Sequence, residues 1–130
     1  MALVSYPRSG NTLLRAYLEK IMGVATGSGG ILADGLIKIL KEGGFEGESI
    51  TDKRVHIIKT HSPERSGKNK FPAERAILLV RNPLDALFSQ FNMVATQTHN
   101  LSIQEKDWPK LIPVFKGFIE QEITVWSDFH

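Results

Sequence analysis

Arg8, Ser9, Gly10 and Thr12 stand together in Val4-Ser5-Tyr6-Pro7-Arg8-Ser9-Gly10-Asn11-Thr12, between a short apolar run and a stretch of helical period. A turn that opens a helix presents backbone N–H groups with no intrahelical partner, at the positive end of the helix macrodipole. Such a terminus suits an anion. Gly10 lets the backbone approach a phosphate closely, Ser9 and Thr12 add hydroxyl donors, and Arg8 adds a forked cation matched to phosphate or sulfate oxygens. The P-loop pattern of nucleotide hydrolases, with its Gly-Lys-Ser/Thr ending, is missing. By itself Arg-Ser-Gly-Asn-Thr also fits an ordinary capped turn, so the other segments decide.

Arg81 and Ser89 follow the apolar run Ala76-Ile77-Leu78-Leu79-Val80, in Arg81-Asn82-Pro83-Leu84-Asp85-Ala86-Leu87-Phe88-Ser89. The run predicts a strand covered on both faces, as inside a parallel sheet, with Arg81 at its carboxyl end. Asn82 as cap, Pro83 at the first helical position and Asp85 in the first turn predict a helix that carries Ser89. Val55-His56-Ile57-Ile58-Lys59-Thr60-His61-Ser62-Pro63 predicts a third strand, which delivers Lys59 and His61 to the same rim. Ligands of open α/β sheets collect at the carboxyl ends of strands. Two arginines at one rim imply a ligand with two anionic groups, and a histidine with an ordinary pKa near 6.5 is available as a base.

These three segments, in this order, resemble the sulfotransferases that take 3′-phosphoadenosine 5′-phosphosulfate (PAPS) as donor co-substrate. Tyr6 to Thr12 reproduce the family's Tyr-Pro-Lys/Arg-Ser-Gly-x-Thr loop, so the resemblance gives Arg8, Ser9, Gly10, Asn11 and Thr12 to the 5′-phosphosulfate. It gives Arg81 and Ser89 to the 3′-phosphate, and Lys59-Thr60-His61 to the Lys-Thr-His of the cytosolic branch, whose histidine deprotonates the acceptor. The form Ser-Tyr-Pro-Arg-Ser-Gly-Asn-Thr looks most like the WSC-domain-type sulfotransferases and their relatives. What the resemblance implies is an α/β fold, three-layer αβα with a central parallel sheet and P-loop-like architecture. It also implies transfer of a sulfuryl group to a hydroxyl or amine acceptor, without a metal. Arg8, Lys59 and His61 would be the catalytic residues, Lys59 beside the sulfuryl oxygens.

The departures from the family pattern are informative. Arg8 replaces the lysine of many cytosolic members, and a guanidinium stabilises charge without donating a proton as an acid. Leu13 stands where those members place an adenine-stacking tryptophan, and the Gly-rich closing loop has no counterpart up to His130. The expectation is therefore one domain over residues 1–130, equal to the N-terminal half of the family's catalytic domain. Two other readings share the strand–loop–helix logic. One is a PAPS- or nucleotide-binding fragment without catalysis; the other is a nucleotide-dependent phosphotransferase, which would want a Walker lysine and Mg²⁺ ligands. The acceptor, a small molecule or a hydroxyl on a glycan or protein, is not specified by donor-binding motifs.

The chain has 130 residues, 42% hydrophobic and 23% charged, which is within range of one globular domain. A formal charge of +2 with no dense Lys/Arg run argues against a nucleic-acid partner. There are no cysteines, so no thiolate metal site exists, and the four histidines lack metal-site spacing. No apolar stretch approaches the ~18 residues of a membrane span, and no signal peptide is visible. Compartment is left open between cytoplasm and Golgi lumen, where many carbohydrate-modifying family members are held by an upstream anchor.

The supporting elements follow from periodicity. Strands are expected near residues 3–6, 55–59 and 76–80. Leu13, Leu14, Tyr17, Leu18 and Ile21 predict a helix stopped by Gly23. Gly27 to Gly30 reads as a flexible stretch, Ile31, Leu32, Leu36, Ile39 and Leu40 as a packing helix ending near Gly43-Gly44, and residues 64–70 as a solvated loop. Ser102-Ile103-Gln104-Glu105 has capping-box form. Pro113 is expected to start a last helix with an apolar stripe of Val114, Phe118, Ile119, Ile123 and Trp126, which would lack its full cover.

Overall fold

The buried run that begins at Ala2 and Leu3 forms the central strand of the protein. The computed structural model describes residues 1–30, 34–63 and 70–129. In chain order the elements are β1 (Ala2–Ser5), α1 (Asn11–Met22), β2 (Gly27–Ser28), α2 (Asp34–Glu42), β3 (Ile58–His61), β4 (Ala76–Leu79), α3 (Pro83–Thr96), a 3₁₀ turn (Glu105–Asp107) and α4 (Trp108–Phe129). The four strands make one all-parallel sheet in the order β2-β3-β1-β4. This is an α/β fold with a central parallel sheet, consistent with part of a P-loop-like αβα architecture.

Register aligns the strand ends. Ser5 is opposite His61 on one side and Leu79 on the other, so Lys59, His61 and Arg81 all reach the carboxyl edge of the sheet near the β1–α1 turn. Gly10 adopts φ 91° at the start of α1, a conformation that glycine takes without a Cβ penalty, and Gly23 ends the helix at φ 65°. The buried face of α1 is polar: Asn11 and Arg15 point inward, whereas Leu13, Tyr17 and Ile21 are exposed. Asn11 Nδ2 donates to Leu3 O (3.3 Å), Ser5 Oγ (2.9 Å) and Thr60 O (3.3 Å), tying the helix to β1 and β3. Fully buried Arg15 ion-pairs with Glu48 at 2.7 Å, donates to Thr26, and lies 4.6 Å from the centroid of the Phe45 ring.

Tyr6, Ala86 and Leu87 form a buried cluster, against which Ile119, Val125 and Trp126 of α4 pack. Beside it, Phe88 stacks on Trp108 (centroids 5.2 Å apart) and Phe91 meets Phe115 edge-on at 4.9 Å, which clamps α3 to α4. No helix among the described residues is long and apolar enough to cross a membrane.

Several expectations are corrected. The apolar run at 76–80 forms an edge strand paired with β1, and Ala76, Leu78 and Val80 are exposed on one face. A continuous apolar run reports hydrophobicity and not the number of neighbours. The third strand starts at Ile58, not Val55, because Val55 and Ile57 are buried in the approach to the sheet. Gly27-Ser28, in the stretch expected to be flexible, is strand β2, placed where Gly27 passes too close to the Ile50 carbonyl for a side chain. Pro113 lies inside α4, not at its start. The stacking of Trp108 on Phe88 and its edge contact with Phe115 hold the preceding turn helical despite the lost N–H. No capping box forms, since Gln104 caps the 3₁₀ turn without a side-chain bond. The α4 stripe is divided: Ile119 and Trp126 pack inward, while Val114 and Ile123 are 60% and 42% exposed. Ile31 and Leu32 and most of the expected solvated loop lie outside the described residues.

Candidate functional site

The β1–α1 turn brings Arg8 to the N-terminal half of α3. Arg8 has φ 65°, a left-handed conformation unusual outside glycine, and its carbonyl accepts from Arg81 Nη1 at 2.8 Å. Its guanidinium points toward α3, where Nε donates to Ser89 Oγ at 3.1 Å and Nη1 to His99 Nδ1 at 2.5 Å. Asn82 caps α3 by accepting from Leu84 N at 2.9 Å, which sets the helix directly after Arg81 and aims Ser89 at the turn.

Arg8, Arg81, Ser89 and His99 share the wall of a cavity of about 540 Å³, with Leu84 and Phe88 as apolar lining. Three of the four are the cationic and hydroxyl residues expected from sequence. The rest of the expected set lies along the strand ends and not in that wall. Lys59 Nζ donates to Thr12 Oγ1 at 3.1 Å, joining β3 to the first turn of α1. His61 Nδ1 lies 3.2 Å from both Ser5 Oγ and Ser5 O. Ser9 is only 8% exposed and its Oγ has no hydrogen-bond partner among the described residues, so a buried hydroxyl stands unsatisfied among them in the turn itself. Gly10 is exposed beside it. Asn11 is turned inward and its side chain belongs to the fold; it has only its first-turn N–H to offer a ligand.

Electrostatically the site is a cluster of cations with one carboxylate, Asp85, in the cavity wall. His99 is held below the ordinary imidazole range, first by the hydration it loses against the wall and then by the like charges of Arg8 and Lys59. Such an arrangement is chemically suited to anions with two or more charged groups. Sequence reasoning missed His99, since a lone histidine after a helix has no spacing signal. What places it is the end of α3 at Gln97, where φ 53° turns the chain back over the cavity.

No known family model matches the chain, and no solved structure does. Curated relatives do. Over 92 residues, 70% of the chain, it is 45% identical to a WSCD family member of Drosophila pseudoobscura pseudoobscura, of which the match covers 27%. The corresponding identities are 44% with a WSCD family member of Drosophila melanogaster and 42% with one of Aedes aegypti, each covered to 26%. The chain thus spans about a quarter of the length of the curated relatives it matches, and over that length it is similar to WSCD family members.

Proposed function

We propose that the protein binds PAPS and supplies the donor half of a sulfotransferase site. The observation that carries this reading is the convergence of Arg8, Arg81 and Ser89 on one cavity at the carboxyl edge of a parallel sheet. Two guanidiniums and a helix N-terminus match a nucleotide with separate anionic groups at its 3′ and 5′ positions. The names of the relatives agree with the WSC-type form of the Tyr6–Thr12 loop.

In this reading the N–H groups of the turn, together with Ser9 and Thr12, hold the 5′-phosphosulfate, and Arg81 with Ser89 holds the 3′-phosphate. The acceptor oxygen attacks sulfur in line; the new O–S bond forms as the bond from sulfur to the 5′-phosphate oxygen breaks. The hydroxyl proton passes to His61, and 3′-phosphoadenosine 5′-phosphate (PAP) leaves with the added negative charge. Arg8 and Lys59 stabilise that charge electrostatically, as preorganised cations do at other oxyanion sites. Arg8 must then leave Ser89, to which its Nε donates in the free protein. If Nδ1 of His61 donates to the Ser5 carbonyl, the basic lone pair falls on Nε2, the atom that would take the proton.

Calorimetric titration with PAP against AMP tests the reading, because AMP lacks the second anion. Clear preference for PAP is expected. Equal or absent binding of both would exclude a bisphosphate site in this protein.

A further inference from the structure

Beyond the residues expected from sequence, the cavity wall holds His99, in contact with Arg8. A guanidinium carries only donors, so a 2.5 Å contact from Arg8 Nη1 requires the lone pair of His99 Nδ1. The imidazole is therefore neutral, with its proton on Nε2. Arg8 is held from both ends, by His99 and by Ser89.

The loop that presents His99 is fastened to α3. Thr96 Oγ1 lies 2.8 Å from Asn92 O and 3.2 Å from Thr98 O, and Asn92 Oδ1 accepts from Ile103 N at 2.8 Å. Asn100 N donates to Thr98 Oγ1 at 3.2 Å. His99 is exposed between these ties, reachable both by solvent and by whatever occupies the cavity. Among the described residues, the charged groups around it are Arg8 from the β1–α1 turn, Arg81 before α3, Asp85 on α3 and Lys59 on β3.

We infer that His99 is a donor-binding residue: neutral while it holds Arg8, and protonated when a doubly anionic nucleotide draws Arg8 onto its own oxygens. The assignment rests on the reading of the cavity as a nucleotide bisphosphate site. An entering anion removes the repulsion from Arg8 and Arg81 and replaces it with attraction, which favours the imidazolium. The proton comes from solvent, so binding is accompanied by proton uptake. Lower pH then strengthens binding through His99, beyond the effect of the ligand's own ionisation.

The test is titration of the protein with PAP near pH 8 and near pH 6.5, in two buffers of different ionisation enthalpy, for the native chain, His99→Gln and His99→Ala. Glutamine can accept from Arg8 but cannot take the proton. The ratio of the His99→Gln Kd to the native Kd should rise several-fold between pH 8 and pH 6.5, up to about tenfold for each unit by which the ligand raises the His99 pKa. The ratio cancels ionisation of the phosphates. His99→Ala should be weaker at both values, and buffer-dependent heats should show proton uptake in the native protein alone. PAP binding with identical pH dependence in native and His99→Gln proteins would overturn the inference and leave the donor site standing.

A second measurement needs no nucleotide. Imidazole ¹⁵N spectra of the free protein should show His99 as the Nε2–H tautomer, with a titration midpoint that rises in Arg8→Gln. An unchanged midpoint would overturn the Arg8–His99 coupling. Failure of PAP to bind the native chain would instead overturn the donor reading, and this assignment with it.

Discussion

Arg8 Nε donates to Ser89 Oγ at 3.1 Å across 81 positions of sequence, joining the turn of the first anion motif to the helix of the second. In the proposed reading the two motifs make one site. The guanidinium in the turn occupies the place where the hydroxyl on α3 would meet a phosphate. A ligand that uses Ser89 must displace Arg8 from it, so Ser89→Ala removes a contact in the free protein and another in the complex. Those losses partly offset each other. Ser89→Ala is expected to weaken PAP binding by at most about 1.5 kcal/mol, the lower end for a hydrogen bond to a charged group.

Arg81→Ala should do more. Arg81 places one guanidinium N–H on the Arg8 carbonyl, holding the turn in its left-handed conformation, and in the proposed complex it carries the 3′-phosphate charge. Loss of both roles should weaken PAP by about 1.5–3 kcal/mol, roughly ten- to a hundredfold or somewhat more, while AMP affinity changes less. Calorimetry with both nucleotides reads the difference. Equal loss for both would mean that Arg81 supports the turn and does not meet the 3′-phosphate.

His61→Ala separates chemistry from binding. His61 lies at the end of β3, outside the wall of the arginine cavity, with Nδ1 held against Ser5. Under the proposed function, sulfuryl transfer should fall by about 10²- to 10⁴-fold, the usual value of a general base, with PAP affinity within a few-fold of native. A comparable loss of PAP affinity would place His61 in donor binding or in scaffold.

Tyr6→Phe tests how the turn is anchored. Tyr6 Oη donates to Glu122 Oε2 at 2.5 Å in the buried region where α4 meets the turn, so one hydroxyl connects the anion loop to the last helix. Removing it from a buried carboxylate should cost about 1–3 kcal/mol. Denaturant titration should show a lower midpoint with an unchanged slope.

The parts of the fold that were legible in sequence are those fixed locally. Gly23 stops α1, Asn82-Pro83 starts α3, and the carboxyl ends of three apolar runs do converge on one rim. Arg8, Arg81 and Ser89 could be brought together from the sequence because each sits next to a strand end or helix start with its own signal. His99 could not. It is held by contacts to Arg8 and by a loop tied to Asn92, and neither leaves a spacing pattern. The same limit explains β4, whose apolar sequence cannot tell an edge from a centre, and α4, which aromatic packing against α3 begins at Trp108, ahead of the start read at Pro113.

Arg15 and Glu48 show what helical spacing does not report. The apolar residues of α1 predicted the helix, yet its fully buried side chain is Arg15, and Leu13, Tyr17 and Ile21 are exposed. Its guanidinium meets Glu48 at 2.7 Å and Thr26 at 2.8 Å from Nε, while Glu48 also receives the Ser28 hydroxyl. The pair joins α1, β2 and the segment after α2, which makes it the fastening of the helix whose N-terminus faces the proposed phosphosulfate. Removing one charge strands the other in a dry site, so Arg15→Met should destabilise the protein by about 3–5 kcal/mol. Adding Glu48→Leu removes the stranded charge, and apolar residues of similar volume often replace a buried pair at little cost. The double variant should therefore recover most of the loss in a denaturant melt. Its PAP affinity should return as well if the pair acts only by holding α1 in place. A double variant as unstable as Arg15→Met alone would instead assign the stability to the individual bonds of Thr26, Ser28 and Phe45 around the pair.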